Sequence, residues 1–231
     1  MAGHIIDTML FDLDGVLTPE RLTRSVPHRV SRFAVKHLGY DPVTAPKKCA
    51  ALYAEHGTNL EGFLHQGDDV DFDLYHREVH GYLPYKDVLK PRPDLRDILN
   101  ALPSAKFVFT NADRAHAETC LAYMGLTDCF LEIIGFEDLQ QRYQGRFTAC
   151  KPKDAAMRIA LDIAETDPFK TLFFDDTPRN IHMGMDHGVR SILIGDRGLT
   201  TCEYFRQLDS LDDLPVMFPL YFDDDALLRH S

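Results

Sequence analysis

Five short apolar runs in this chain stop abruptly at polar or acidic residues. Met9-Leu10-Phe11 runs into Asp12, and Lys106-Phe107-Val108-Phe109 runs into Thr110 and Asn111. The run over 131–136 meets Glu137 and Asp138, Leu172-Phe173-Phe174 meets Asp175 and Asp176, and Ser191-Ile192-Leu193-Ile194 ends at Gly195 and Asp196. Short runs of this kind, without clean alternation, predict strands of a parallel sheet covered on both faces. Between them the apolar spacing turns helical over 94–102, 113–124, 153–164 and 179–187. Pro93 suits a first helical turn, and Gly125 and Gly188 suit helix ends. Alternating strand and helix predicts a doubly wound α/β core, in which ligands gather at the carboxyl ends of the strands. Those ends are where the polar residues stand.

The stretch from about residue 19 to 90 has a different rhythm. Helical spacing recurs over 25–38, 45–56, 60–66 and 72–80, punctuated by Asp41-Pro42, Gly57, Gly67 and Gly81, with no convincing strand. It reads as a helical cap inserted after the first strand. The expected organisation is a catalytic core of residues 1–18 and 91–231 and a cap of residues 19–90.

Composition narrows the function classes. Hydrophobic residues are 45% of the 231 and charged residues 26%, which suits a packed globular chain. A formal net charge of −11 argues against a nucleic-acid polymer or an anionic membrane as partner. Five scattered cysteines without a C-x-x-C pair suggest neither a disulfide framework nor a zinc knuckle. The first ten residues do not read as a signal peptide, and no apolar run approaches the ~18 residues of a membrane span. A cytoplasmic location is expected. No dimer face stands out, so monomer and homodimer both remain open.

The strand-end residues carry the chemistry. Asp12 and Asp14 are two apart, so on extended backbone both carboxylates point the same way. Thr110 and the turn after it form a natural cradle for an anion. Lys151 precedes a helix, from which its ammonium can reach an anionic site. Asp175 and Asp176 abut a buried strand, where two acids need a metal or a charged partner.

Taken together as FDLDGVLTP, FTNADRAHAE, CKPKDAAMRIAL and LFFDDTPRNI, these motifs resemble the haloacid dehalogenase superfamily along nearly the whole chain. The run from YAEHGTNLEGFL through DFDLYHREVHGYLPY to LKPRPDLRDIL is similar to the branch related to pyrimidine 5′-nucleotidases. The resemblance implies a Mg2+-dependent phosphatase in which Asp12 attacks phosphorus and Asp14 serves as general acid and base. It implies Mg2+ held by Asp12, the Asp14 backbone carbonyl, and Asp175 or Asp176. Thr110, the amides around Asn111, and Lys151 would hold the phosphoryl group, with Asn180 orienting the acid pair. The substrate class implied is a small phosphorylated metabolite, with UMP and CMP leading. Dehalogenases of the superfamily lack the second aspartate, so Asp14 points to phosphoester chemistry. A phosphosugar mutase and a non-catalytic binding member are the rival readings.

In the cap, Tyr53, His56, Thr58 and Asn59 surround the Gly57 break, and His56 and Asn59 are the expected substrate contacts. His76 and His80 are four apart on a helix, but no third ligand is evident and they are read as packing or surface. Asp223-Asp224-Asp225 reads as a solvated acidic tail.

Overall fold

The computed structural model describes residues 6–142, 148–195 and 206–219. Cys202 and the 223–225 acids lie outside these. Six strands, β1 (Thr8–Phe11), β2 (Ala105–Phe109), β3 (Glu132–Ile134), β4 (Thr171–Asp175), β5 (Arg190–Ile194) and β6 (Arg206–Leu208), form one sheet in the order β3-β2-β1-β4-β5-β6. Every pairing is parallel. The helices are α1 (Val26–His37), α2 (Ala45–His56), α3 (Asn59–Gln66), α4 (Phe72–Val79), α5 (Tyr85–Val88), α6 (Pro93–Ala101), α7 (Arg114–Met124), α8 (Phe136–Arg142), α9 (Asp154–Ile163), α10 (Pro178–Asp186) and α11 (Leu214–Met217).

The unbroken apolar runs have a direct consequence. Successive residues of a strand face opposite sides of a sheet, so each run feeds two cores. Met9, Phe11, Val108, Leu172 and Phe174 pack on one side with Leu95 and Leu99 of α6 and Leu121 of α7. Leu10, Phe107, Phe109 and Phe173 pack on the other with Ala156 and Met157 of α9 and Met183 of α10. This is the doubly wound α/β core. Chain order runs outward from β1 through β2 to β3, then returns to the other side of β1. The switch point therefore lies at the carboxyl end of β1, between β2 and β4. Phe11 is level with Val108 and Phe174, so Asp12 emerges beside the ends of both neighbouring strands.

Helices α1 to α5 all fall between β1 and β2, and Val30, Phe33, Cys49, Leu52, Phe63 and Tyr75 of this insert share a separate apolar cluster. Two residues from beyond β2, Phe136 and Cys150, join it. That contact explains one correction. The apolar run over 131–136 does not remain strand to its end: β3 stops at Ile134 and Phe136 opens α8, its ring buried against the insert. Glu137 and Asp138 accordingly hold Arg114 rather than joining the strand-end acids. The edge strand β6, with one apolar residue in three, was not anticipated.

A buried ion pair ties the insert to the core. Glu61 of α3 is 1% exposed; its carboxylate accepts from Thr148 N at 2.7 Å, from the Thr148 hydroxyl and from Lys153 Nζ. Burial works against the charge, but Lys153 and the Thr148 donors prevail and hold the Glu61 carboxyl below its usual range. A depressed carboxylate stabilises the fold above its unfolded pKa, and that contribution is lost as pH falls through the folded value. Glu61→Ala should therefore cost about 3 kcal/mol at neutral pH. Denaturant melts should show the gap to wild type closing once the pH drops below the ordinary glutamate range; a gap independent of pH would contradict this.

Candidate active site

Asp12 follows β1 directly and is 8% exposed. Its amide donates to Phe174 O at 2.8 Å, extending the ladder by one residue and fixing its direction. The chain then turns sharply: Gly15 N donates to Thr18 O and Thr18 N to Leu13 O. Gly15 has φ +88°, and a Cβ there would lie 2.2 Å from Asp176 Oδ2. Only glycine lets the turn and the acid pair come this close.

Lys151 is the charge at the centre. Its Nζ lies 2.8 Å from Asp12 Oδ1 and 2.7 Å from Asp175 Oδ2 and donates to Phe109 O at 2.8 Å, with the residue 2% exposed. Burial alone would lower its pKa; Asp12 and Asp175 outweigh burial and hold it above the usual lysine value. Asp12 goes the other way for a carboxylate. Burial, then the neighbouring Asp175 and Asp176, push it well above its ordinary range, and the single ammonium only partly offsets them.

Asp175 is fully buried and its oxygens are committed. Oδ2 accepts from Lys151, Oδ1 from Thr177 N at 2.9 Å, and Asn180 Nδ2 reaches both at 2.9 and 3.1 Å. Asp176 is half-buried, with Oδ1 accepting from the Thr177 hydroxyl and Oδ2 against the Gly15 turn. Asp12, Asp175 and Asp176 can each offer an oxygen within 4.8 Å of the others. Of these three carboxylates, Asp12 and Asp175 meet the Lys151 ammonium directly. A divalent cation with a preference for oxygen fits that donor set.

On the other flank, Thr110 follows β2, its hydroxyl accepting from Ala112 N at 3.1 Å. The Asn111 side chain grips the backbone of Lys151, accepting from its N at 2.7 Å and donating to its O at 2.9 Å. Asn111 thus locks the lysine loop onto β2, leaving main-chain groups as its means of meeting a ligand. The expected cap contacts are split. The Gly57 turn, between α2 and α3, lies on the lysine loop: a Cβ at Gly57 would be 2.6 Å from Pro152. Arg179 of α10 clamps it by donating to the carbonyls of Tyr53, Ala54 and Gly57. His56 stacks on His65 within the insert, their ring centroids 4.5 Å apart. Asn59 Oδ1 is buried without a hydrogen-bond partner.

Two groups escaped the sequence reading. His116 of α7 reaches Asp14, its Nε2 at 3.1 and 3.2 Å from the two carboxylate oxygens, and Thr18 Oγ1 donates to Asp14 Oδ1 at 3.1 Å. Asp113 supplies the third group that His76 and His80 lacked. Its Oδ2 lies 2.7 Å from His80 Nδ1 and 3.3 Å from His76 Nδ1, while Oδ1 caps α7 by accepting from His116 N. The spacing of D-R-A-H, a helix cap followed three residues on by histidine, was the available signal.

A family model for haloacid dehalogenase-like hydrolases matches residues 6–188. The chain belongs to this family. Among curated relatives it is 26% identical over 196 residues to Phosphate metabolism protein 8 of Saccharomyces cerevisiae, covering 79% of this chain and 60% of the yeast protein. The chain therefore spans less than two thirds of that relative's length. Among solved structures, CbbY from Rhodobacter sphaeroides in complex with phosphate superposes with a TM-score of 0.61 at 20% identity, covering 91% of this chain and 96% of that one. L-2-haloacid dehalogenase from Xanthobacter autotrophicus, with chloropropionic acid covalently bound, gives 0.56 at 15%, covering 93% and 99%. At these identities the likeness establishes the fold. A haloacid dehalogenase-like fold hosts a phosphate ligand in one neighbour and a covalent haloacid adduct in the other, so the reaction has to be read from the site. Among the described residues no helix is long and apolar enough to cross a membrane, and Cys49, Cys120, Cys129 and Cys150 are free thiols.

Proposed function

We propose that this hydrolase is a Mg2+-dependent phosphatase that cleaves a small phosphomonoester through an aspartyl-phosphate on Asp12. The observation that carries the reading is Asp14, two residues beyond the nucleophile and held by His116 and Thr18. A carbon-attacking dehalogenase has no use for a second carboxyl there, whereas ester cleavage needs a proton donor for the leaving oxygen.

In the first step an Asp12 oxygen forms a bond to phosphorus as the bond to the leaving oxygen breaks, and Asp14 gives that oxygen its proton. In the second, water attacks phosphorus while Asp14 takes the water proton, and the bond to Asp12 breaks to release phosphate. The Thr110 hydroxyl, which accepts from Ala112 N, keeps its own proton to donate to a phosphoryl oxygen. Lys151 offsets charge on Asp12 and the phosphoryl group. A metal would be held by Asp12, the Asp14 carbonyl and Asp176, while Asp175, already engaged by Lys151 and Asn180, orients the lysine. Bound Mg2+ supplies the charge that admits a phosphate dianion among carboxylates and stabilises the transition state.

Residues 19–90 act as the cap that selects the substrate, and the pyrimidine-nucleotidase-like run within it favours UMP and CMP. Asn59, with its buried Oδ1 unmet, is the group best suited to a base or sugar donor. The test is phosphate release with Mg2+ across UMP, CMP, purine monophosphates, sugar phosphates and pyridoxal phosphate. A marked, EDTA-sensitive preference for UMP and CMP supports the full reading. A preference elsewhere keeps the phosphatase and removes the nucleotidase. Isomerised sugar phosphate without free phosphate would establish a mutase instead, and silence across the panel a non-catalytic member.

Metal removal should also register in stability. A carboxyl raised in the folded state favours folding only while protonated, so charged Asp12 costs stability as pH rises past the ordinary aspartate range. Mg2+ should raise the melting temperature, and the gain over EDTA should grow as the pH rises past the ordinary aspartate range. A flat response would argue against a cation at this cluster.

A further inference from the structure

We propose that His116 is a positioning residue for Asp14, and that the helical insert completes the arrangement through Tyr85; this rests on the phosphatase reading above. Every link is geometric. Tyr85, the first residue of α5, has one hydroxyl proton and lies 3.0 Å from the His80 carbonyl, which can only accept. That carbonyl also accepts from Leu83 N at 3.1 Å, so it does not require the tyrosine proton. His116 Nδ1 lies 2.7 Å from the same hydroxyl, and the two share one hydrogen bond whose direction follows the ring tautomer. The opposite ring nitrogen, Nε2, faces both oxygens of Asp14.

Between Nε2 and Asp14 one proton is shared. It sits on Nε2 when Asp14 is a carboxylate and on Asp14 when Nε2 is bare. Either way the ring sets where the carboxyl stands and keeps a proton at the oxygens that serve the leaving group. The ring cannot easily turn away, since His116 is 2% exposed. The His80 ring stacks on it with centroids 5.0 Å apart, and Cys120 Sγ lies 3.8 Å from Nε2. His80 is itself anchored by Asp113, whose other oxygen starts the helix carrying His116. Two insert residues, His80 and Tyr85, thus brace the histidine that aims the core's acid. Seating of the insert and readiness of Asp14 are linked through one ring.

The consequence is selective. Asp14 matters in the first step in proportion to the leaving group's need for a proton. An alkoxide needs one; p-nitrophenolate leaves without it. The reporter is kcat/KM, which covers steps up to the first irreversible one and excludes hydrolysis of the aspartyl-phosphate.

The experiment compares kcat/KM for an alkyl phosphate and p-nitrophenyl phosphate, with Mg2+ saturating, for the full chain and for His116→Leu, His116→Gln and Tyr85→Phe. We expect His116→Leu to lose about 100-fold on the alkyl ester and less than about fivefold on the aryl ester. His116→Gln, which restores a donor near the Nε2 position, should recover part of the alkyl loss. Tyr85→Phe removes a single oxygen and should show the same skew at about tenfold, so the test stands even if His116→Leu does not fold. Equal losses on both esters, or none, in Tyr85→Phe and His116→Gln would overturn the proposal while leaving the phosphatase intact. Wild-type silence on both esters would overturn the phosphatase reading and this inference with it.

Discussion

Asp12→Asn should abolish turnover, by about 10⁵-fold or more in kcat, because it removes the atom that bonds to phosphorus. The amide is nearly isosteric, and its oxygen can still accept from Lys151, which sits 2.8 Å from Asp12 Oδ1. The loss would thus be chemical, not conformational. Stability should move in the other direction. Asp12 is crowded by burial and by Asp175 and Asp176, which push its pKa up, so near neutral pH its charge works against folding. Replacing it with a neutral amide relieves that repulsion. In EDTA the variant should melt at or above the wild-type temperature, and the stabilisation by Mg2+ should shrink because one ligand has lost its charge. An active site held together against its own repulsion is expected where function and stability compete. Near-normal turnover in Asp12→Asn would remove the covalent mechanism. A large drop in melting temperature would mean that the carboxylate is a structural partner of Lys151 first.

How much of this could be read from the chain depended on whether a residue's role was local. Asp12, Thr110, Lys151, Asp175 and Asp176 were legible because each stands where an apolar run ends or a helix begins, and a parallel sheet brings such ends together. Helix boundaries agreed to within a residue or so where a side chain caps them, as Asp113 does for α7 and Asp71 for α4. Failures came where the deciding contact was distant in sequence. Phe136 looked like the end of a strand, but its ring is claimed by the insert, and the backbone turns into α8 to deliver it. The Asn111 side chain has a partner that its position does not reveal, the Lys151 backbone 40 residues on. His116 has only the D-R-A-H spacing to mark it locally. Its partner Asp14 is 102 residues away. The histidine pair at 76 and 80 lacked a visible third group for the same reason, since Asp113 lies beyond β2.

Lys151→Met should damage both stability and chemistry, and the two losses should respond differently to metal. The ammonium is buried against the rings of Phe109 and Phe173, at 4.9 and 5.4 Å from their centroids, and joins two carboxylates and a carbonyl. Removing one partner of such a cluster leaves the others charged and dry, which costs about 3–5 kcal/mol. For a chain of this size that is roughly 10 °C in melting temperature. Lowering the pH should narrow the deficit, because Asp12, whose pKa is already raised by burial, can then take a proton in place of the lost cation. Mg2+ should also narrow it, and should bind more tightly than to wild type, since Asp12 and Asp175 have lost their ammonium. Turnover should stay at least about 100-fold down even at saturating Mg2+, because a metal bound to Asp12 and Asp176 cannot stand where Nζ bridges Asp12 to Asp175 and meets the developing charge. Rescue of the melting temperature without rescue of turnover would separate the two duties of this lysine. Rescue of both would mean that charge alone, not its placement, is what the site requires at this position.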